Sequence, residues 1–84
     1  MKQHIKEEIW NFIVENFLYG ESDGLSESDS LLETGTVDST GFLELIAFIE
    51  QTYGIKVKDD ELVPENLDSI VKVTDFVVRK QAQL

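Results

Sequence analysis

Apolar residues recur at intervals of three and four in three separate stretches of this chain, and that spacing commits it to helices. In the first stretch Ile5, Ile9, Phe12, Ile13 and Phe17 share one face, widened by Trp10 and Val14. Lys6, Glu7, Asn11 and Glu15 fall mostly on the other face, so a helix is predicted from about Lys2 to Leu18. Tyr19-Gly20 should stop it, with the glycine as a left-handed terminator. Phe42, Leu45, Ile46, Ile49 and Tyr53 make a second face, predicted to run from Ser39 to Thr52 and to end at Gly54 with Ile55 packing back. Ile70, Val73, Phe76 and Val77 predict a last helix over Ser69–Gln81. Its Val71, Val73, Val77 and Val78 would also suit a strand. A cap at Leu67-Asp68-Ser69, and the lack of a second strand to pair with, decide for helix. Before it, an extended Ile55-Lys56-Val57 leads into a short helix predicted over residues 59–63. Lys58 or Asp59 opens that turn, and Pro64 cannot continue it because proline has no backbone N–H to donate.

These elements imply an all-α fold: a small four-helix bundle of three longer helices and one short one, with a long loop between helices one and two. The chain of 84 residues is expected to form a single domain over 1–84. Apolar residues make up 42% of it and there is no cysteine, so the core must suffice without disulfides or a thiolate metal site. The loop Glu21–Thr36 is long for a structureless connection, and Leu25, Leu31 and Leu32 are expected to pin it to the bundle. Its acidic pattern invites a calcium-loop reading. An EF-hand needs glycine at position six and a ligand at alternate positions. With Glu33 as position twelve, Glu27 falls where the glycine belongs and Gly24 where a ligand belongs, so that reading fails.

Seventeen acidic residues against seven basic ones leave a net charge of −10. Such a chain is repelled by nucleic acid and by anionic membrane surfaces, and it suits partners with basic patches, or simply solubility. The amino terminus lacks a signal-like apolar stretch and no run reaches membrane-spanning length, so a cytoplasmic monomer is expected.

Catalysis needs a base, a nucleophile and a group to orient them. His4 is the single histidine and sits in a terminus, where solvation explains it. The chain has no Gly-rich phosphate loop followed by Lys and no His-Glu-x-x-His, and the adjacent acids Asp59-Asp60-Glu61 mostly diverge on a helix. The chain reads as no enzyme.

What remains is Gly35-Thr36-Val37-Asp38-Ser39-Thr40, at the entry to the most apolar helix. A carboxylate at Asp38 suits the N-cap, accepting unpaired backbone N–H groups and complementing the helix dipole. Ser39 then takes the first helical position, with its hydroxyl outward and within reach of another protein. Leu43 and Ala47 follow Ser39 at four-residue steps, making an apolar strip flanked by Glu44 and Glu50. In a small bundle such a strip could equally be wide core.

Taken together, Asp29-x-Leu31, Gly35-x-Val37-Asp38-Ser39, the apolar helix, Gly54 and an acidic short helix before a last one resemble an acyl carrier protein over almost the whole chain. The resemblance implies a 4′-phosphopantetheine arm, added to Ser39 from coenzyme A by a phosphopantetheinyl transferase, whose thiol holds an acyl or aminoacyl group as a thioester. It implies Asp38 as the transferase's recognition residue, and Leu43, Glu44, Ala47 and Glu50 as the partner-docking helix. Implied partners are an acyl-adenylating ligase, or acyltransferase and synthase enzymes, with basic docking patches. Thr40-Gly41 departs from the apolar Leu or Met that many members of fatty-acid synthesis carry after the serine, and so alters the surface that partners meet. The aromatic content (Trp10, Phe12, Phe17, Phe42, Phe48, Tyr53, Phe76) suggests a rigidly filled core, and together with Thr40-Gly41 it suggests a free-standing carrier loaded in trans by an adenylating ligase with a short acyl or aminoacyl group. The rival readings are an unmodified interaction or regulatory module of the same fold, and the disfavoured small calcium-binding protein.

Overall fold

The computed structural model describes residues 2–18, 20 and 25–83. Tyr19, where the first helix was predicted to stop, and the opening Glu21–Gly24 of the loop lie outside the described residues. The helices are α1 (Lys2–Phe17), α2 (Ser39–Tyr53), the single-turn α3 (Pro64–Leu67) and α4 (Ile70–Ala82), with a 3-10 turn at Asp59–Glu61. They form a small helical bundle, as the periodicity predicts.

Each long helix buries the face that its spacing picks out. Ile5, Ile9 and Ile13 of α1 meet Ile70, Val73, Phe76 and Val77 of α4, and α2 contributes Leu45 and Ile49. The boundaries follow local chemistry. Ser69 caps α4 by accepting the Lys72 N–H at 3.1 Å, and the buried Thr74 hydroxyl donates to the Ile70 carbonyl one turn back, which satisfies it without a partner elsewhere. Gly54 ends α2 at φ 67°, a left-handed conformation that glycine adopts without steric cost, and its N–H returns to the Glu50 carbonyl. Ile55 is buried directly after it. Gly20 is likewise left-handed and donates to the Val14 carbonyl at 3.0 Å.

Three expectations need correction. The short helix predicted over 59–63 is only the 3-10 turn at Asp59–Glu61, and α3, with Pro64 at its first position, is a further element that was not predicted. Proline ends one element by lacking a donor, yet its fixed φ suits the first turn of the next. It also holds Val63 extended (φ −128°, ψ 151°) between them. In the loop, Leu31 is buried and Leu25 partly so, but Leu32 is exposed, and Val37 is the second buried anchor. Finally, the aromatic rings do not fill the core. Only Phe76 among them is buried, and the buried hydrophobic core is otherwise Ile, Leu and Val. Phe12 stacks on Phe48 at 4.2 Å between centroids, with Phe17 and Tyr53 edge-on at either end, so these rings line the seam between α1 and α2. The inference of a short load therefore loses the ring-filled core as one of its two grounds. Tyr53 donates its hydroxyl to Glu8 at 2.8 Å, and burial, reinforced by that carboxylate, holds the phenol protonated well above its usual range.

Candidate functional site

The loop reaches α2 along a defined path. Asp68, in the turn between α3 and α4, accepts the Ser30 hydroxyl and the Leu32 N–H, while its backbone carbonyl accepts the Leu31 N–H at 2.8 Å. Val71 N–H closes on the Glu27 carbonyl, and Lys6 on the Glu27 carboxylate. The chain then turns, with Val37 N–H donating to the Leu31 carbonyl at 3.1 Å, and delivers Asp38 to the start of α2.

Asp38 is extended (φ −94°, ψ −176°), and its Oδ1 accepts the Gly41 N–H at 2.7 Å. It is the cap that the sequence predicts. Ser39 follows as the first helical residue and is exposed, as is Thr40. Helix geometry gives the N–H groups of these two residues no acceptor within the helix, so they and the positive helix end face the same solvent as the serine hydroxyl. That is the setting in which a helix start tolerates a phosphate. A phosphodiester on this hydroxyl therefore meets no buried obstacle, and the residues fit a phosphate-linked arm.

The strip below Ser39 is a surface feature and not wide core: Leu43 is 64% exposed, and Ala47 and Glu44 are exposed too. Glu50 differs from Glu44. It is partly buried, and its Oε2 accepts the Val57 N–H at 2.9 Å, so it braces the exit from α2. No Lys or Arg occurs between Lys6 and Lys56, which leaves α2 and its approach purely acidic in formal charge.

Beside Ser39 opens an apolar groove of about 290 Å³. Phe42, Leu43 and Ile46 line it from α2, Leu62, Val63 and Pro64 from the opposite segment, and Ser39 is among its lining residues. Leu32, Leu43 and Leu62 are 44%, 64% and 42% exposed, come from three different segments, and all face this groove. Only Leu43 was placed at the site from sequence; Leu32 was expected to be a loop anchor. Leu62 and Leu32 carry no local signal, because their exposure depends on how distant segments meet.

Gly41 is a further residue that sequence reasoning missed. It is buried, and a Cβ built on it would lie 2.8 Å from the Phe17 ring and 2.9 Å from a Val37 methyl. Its absent side chain lets the end of α1 and the loop close on the start of α2. The glycine after Thr40 thus has a packing reason that the departure from the family's usual residues did not suggest.

Among the described residues, no cluster of three or more His, Cys, Asp or Glu side chains is arranged to hold a metal ion, and no helix is long and apolar enough to cross a membrane. The fold and the site together define a small helical bundle that offers a serine hydroxyl at a helix start. The model of the phosphopantetheine attachment site family matches residues 13–77, and the chain belongs to that family. In it, 4′-phosphopantetheine is attached covalently to a serine. The chain is also similar to one in a crystal structure of an FAD-dependent dehydrogenase, with 32% identity and a TM-score of 0.73, covering 82% of this chain and 97% of that one. No curated protein is significantly similar in sequence.

Proposed function

We propose that Ser39 is the modified serine and that this chain is a free-standing carrier, itself without catalytic activity, that presents an acyl or aminoacyl group to successive partner enzymes. The observation that carries the reading is the exposed Ser39 hydroxyl at the first position of α2, beside the Asp38 cap and next to an apolar groove. When bound, the arm supplies a thiol that holds the group as a thioester. Asp38 fixes the helix start, and Leu43, Ala47 and Glu44 offer an apolar strip with an acidic edge to enzymes bearing basic patches. An acyl-adenylating ligase acting in trans is the loading enzyme this reading favours. The similarity to a chain in a crystal structure of an FAD-dependent dehydrogenase supports a flavin dehydrogenase as a second kind of partner.

The test is incubation with a phosphopantetheinyl transferase, Mg²⁺ and coenzyme A, followed by intact-mass measurement. One arm is expected on the wild type and none on Ser39→Ala, with unchanged helical circular dichroism. An arm that persists in Ser39→Ala refutes the assignment. An unmodified wild type favours the interaction-module reading instead.

A further inference from the structure

The groove beside Ser39 has one wall that its own burial does not hold. From Lys56 to Asn66 no residue is buried; the buried apolar anchors are Ile55 before this span and Leu67 after it, with Val57 near its start packed partly buried against the core. Leu62, Val63 and Pro64, which line the groove, sit in the middle of the span. What ties that middle down is polar and comes from α4. Lys80 Nζ donates to both carboxylate oxygens of Glu61, at 3.0 and 3.2 Å. The same carboxylate accepts the Lys58 N–H at 2.9 Å, so one side chain closes the 3-10 turn and anchors it to α4. Asn66 donates to the Glu61 carbonyl and accepts from Arg79, adding a weaker second tie to α4. The Lys80 side chain is only 11% exposed and that of Glu61 25%, so water screens this pair less than a surface pair.

We propose that Lys80, acting through Glu61, sets the position of the Leu62–Pro64 wall and thereby the size of the apolar group this carrier shelters beside Ser39. This rests on the carrier reading above, and Lys80 is a positioning residue that touches neither the arm nor the load. The occupant is the group tethered to Ser39. Tethering gives it an effective concentration on the order of millimolar, so a groove too weak to capture a free ligand is still filled. The lining side chains apart from Ser39 are apolar. An uncharged acyl group therefore fits, whereas an α-ammonium would lose hydration there without a carboxylate to pair with.

The experiment starts from the protein with Ser39 unmodified and uses a phosphopantetheinyl transferase to move the acyl-phosphopantetheine of acetyl-, butyryl-, hexanoyl- or octanoyl-coenzyme A onto the Ser39 hydroxyl, releasing 3′,5′-ADP. It then measures how fast hydroxylamine cleaves each thioester, relative to the same acyl-pantetheine free in solution. In the wild type, protection should grow from acetyl and level off at the longer chains, which find the wall closed. In Lys80→Met, which keeps the apolar stem, and in Glu61→Gln, protection should go on rising, by up to about fourfold for each further methylene buried. Lys80→Arg, which keeps the cation, should follow the wild type. In the unloaded protein, Lys80→Met should also speed amide exchange at Leu62 and Val63. Met and Gln variants that track the wild type at every length overturn the proposal, as does protection independent of length in all forms. A chain whose mass never gains the arm overturns the carrier reading, and this inference with it.

Discussion

The Asp68 carboxylate accepts the Ser30 hydroxyl across a separation of 38 residues, and through that contact the turn before α4 holds the loop that delivers Ser39. The same carboxylate takes the Leu32 N–H at 3.1 Å. Loop and turn are thus joined by one side chain as well as by the burial of Leu31 and Val37.

Removing that side chain should loosen the loop. Hydrogen bonds to a charged group contribute about 1.5–3 kcal/mol, and each kcal/mol shifts the melting temperature of a domain of this size by roughly 4–8 °C. Asp68→Ala is expected to melt lower by that order. It should also be modified more slowly at Ser39, because the transferase then meets a less ordered approach. An unchanged melting curve would show that the burial of Leu31 and Val37 and the backbone bonds of Leu31 and Val71 hold the loop without the Asp68 carboxylate.

Gly41→Ala sets two effects against each other. Alanine is favoured over glycine inside a helix by about 0.8–1.0 kcal/mol. Overfilling a packed site costs about 1–3 kcal/mol, and here the new methyl would meet Phe17 and Val37 below 3.0 Å. The overfilling should win, so denaturant unfolding should report lower stability. Higher stability would mean that the ring and methyl move aside at little cost.

Glu44 and Glu50 should separate experimentally, although they look alike along the sequence. Glu44 is exposed, and Glu44→Lys is expected to slow loading by a basic partner, most strongly at low salt, with stability nearly unchanged. Glu50→Ala leaves the Val57 N–H without its acceptor and should cost about 1–3 kcal/mol of stability. Equal loading rates for Glu44→Lys and wild type would place the docking surface elsewhere.

The Glu61 carboxyl lies below the ordinary glutamate value of 4.5, held there first by the Lys58 N–H and then by Lys80. A carboxyl whose folded pKa is depressed stabilises the fold fully above its unfolded pKa. That contribution fades as pH falls from the ordinary value toward the lowered one. Amide protection factors across residues 59–63, corrected for the intrinsic exchange rate at each pH, should therefore fall as the solution is acidified through and below pH 4.5. Glu61→Gln should remove that part of the pH dependence; a variant with the wild-type pH profile would assign it to other carboxylates.

Much of this molecule is readable from short range. The spacing of Ile5, Ile9 and Ile13, of Leu45 and Ile49, and of Ile70, Val73 and Val77 already determines three helices and their buried faces. Asp38, Ser69 and Gly54 act on backbone groups within one turn of themselves, so the helix limits they mark, and the outward hydroxyl of Ser39, follow from neighbouring residues alone. The 3-10 turn was anticipated as a short helix but α3 was not, because the proline that ends one turn was read only as a stop and not as the start of the next. Only the tertiary structure decides that Leu32, Leu43 and Leu62 converge on one groove. It alone decides that Glu50 is a brace while Glu44 is free of that task, that Asp68 organises the loop, and that Lys80 stands behind the groove wall. Each of those relationships joins segments separated along the chain. Their geometry is set by how the helices pack against one another, which no single turn of sequence encodes.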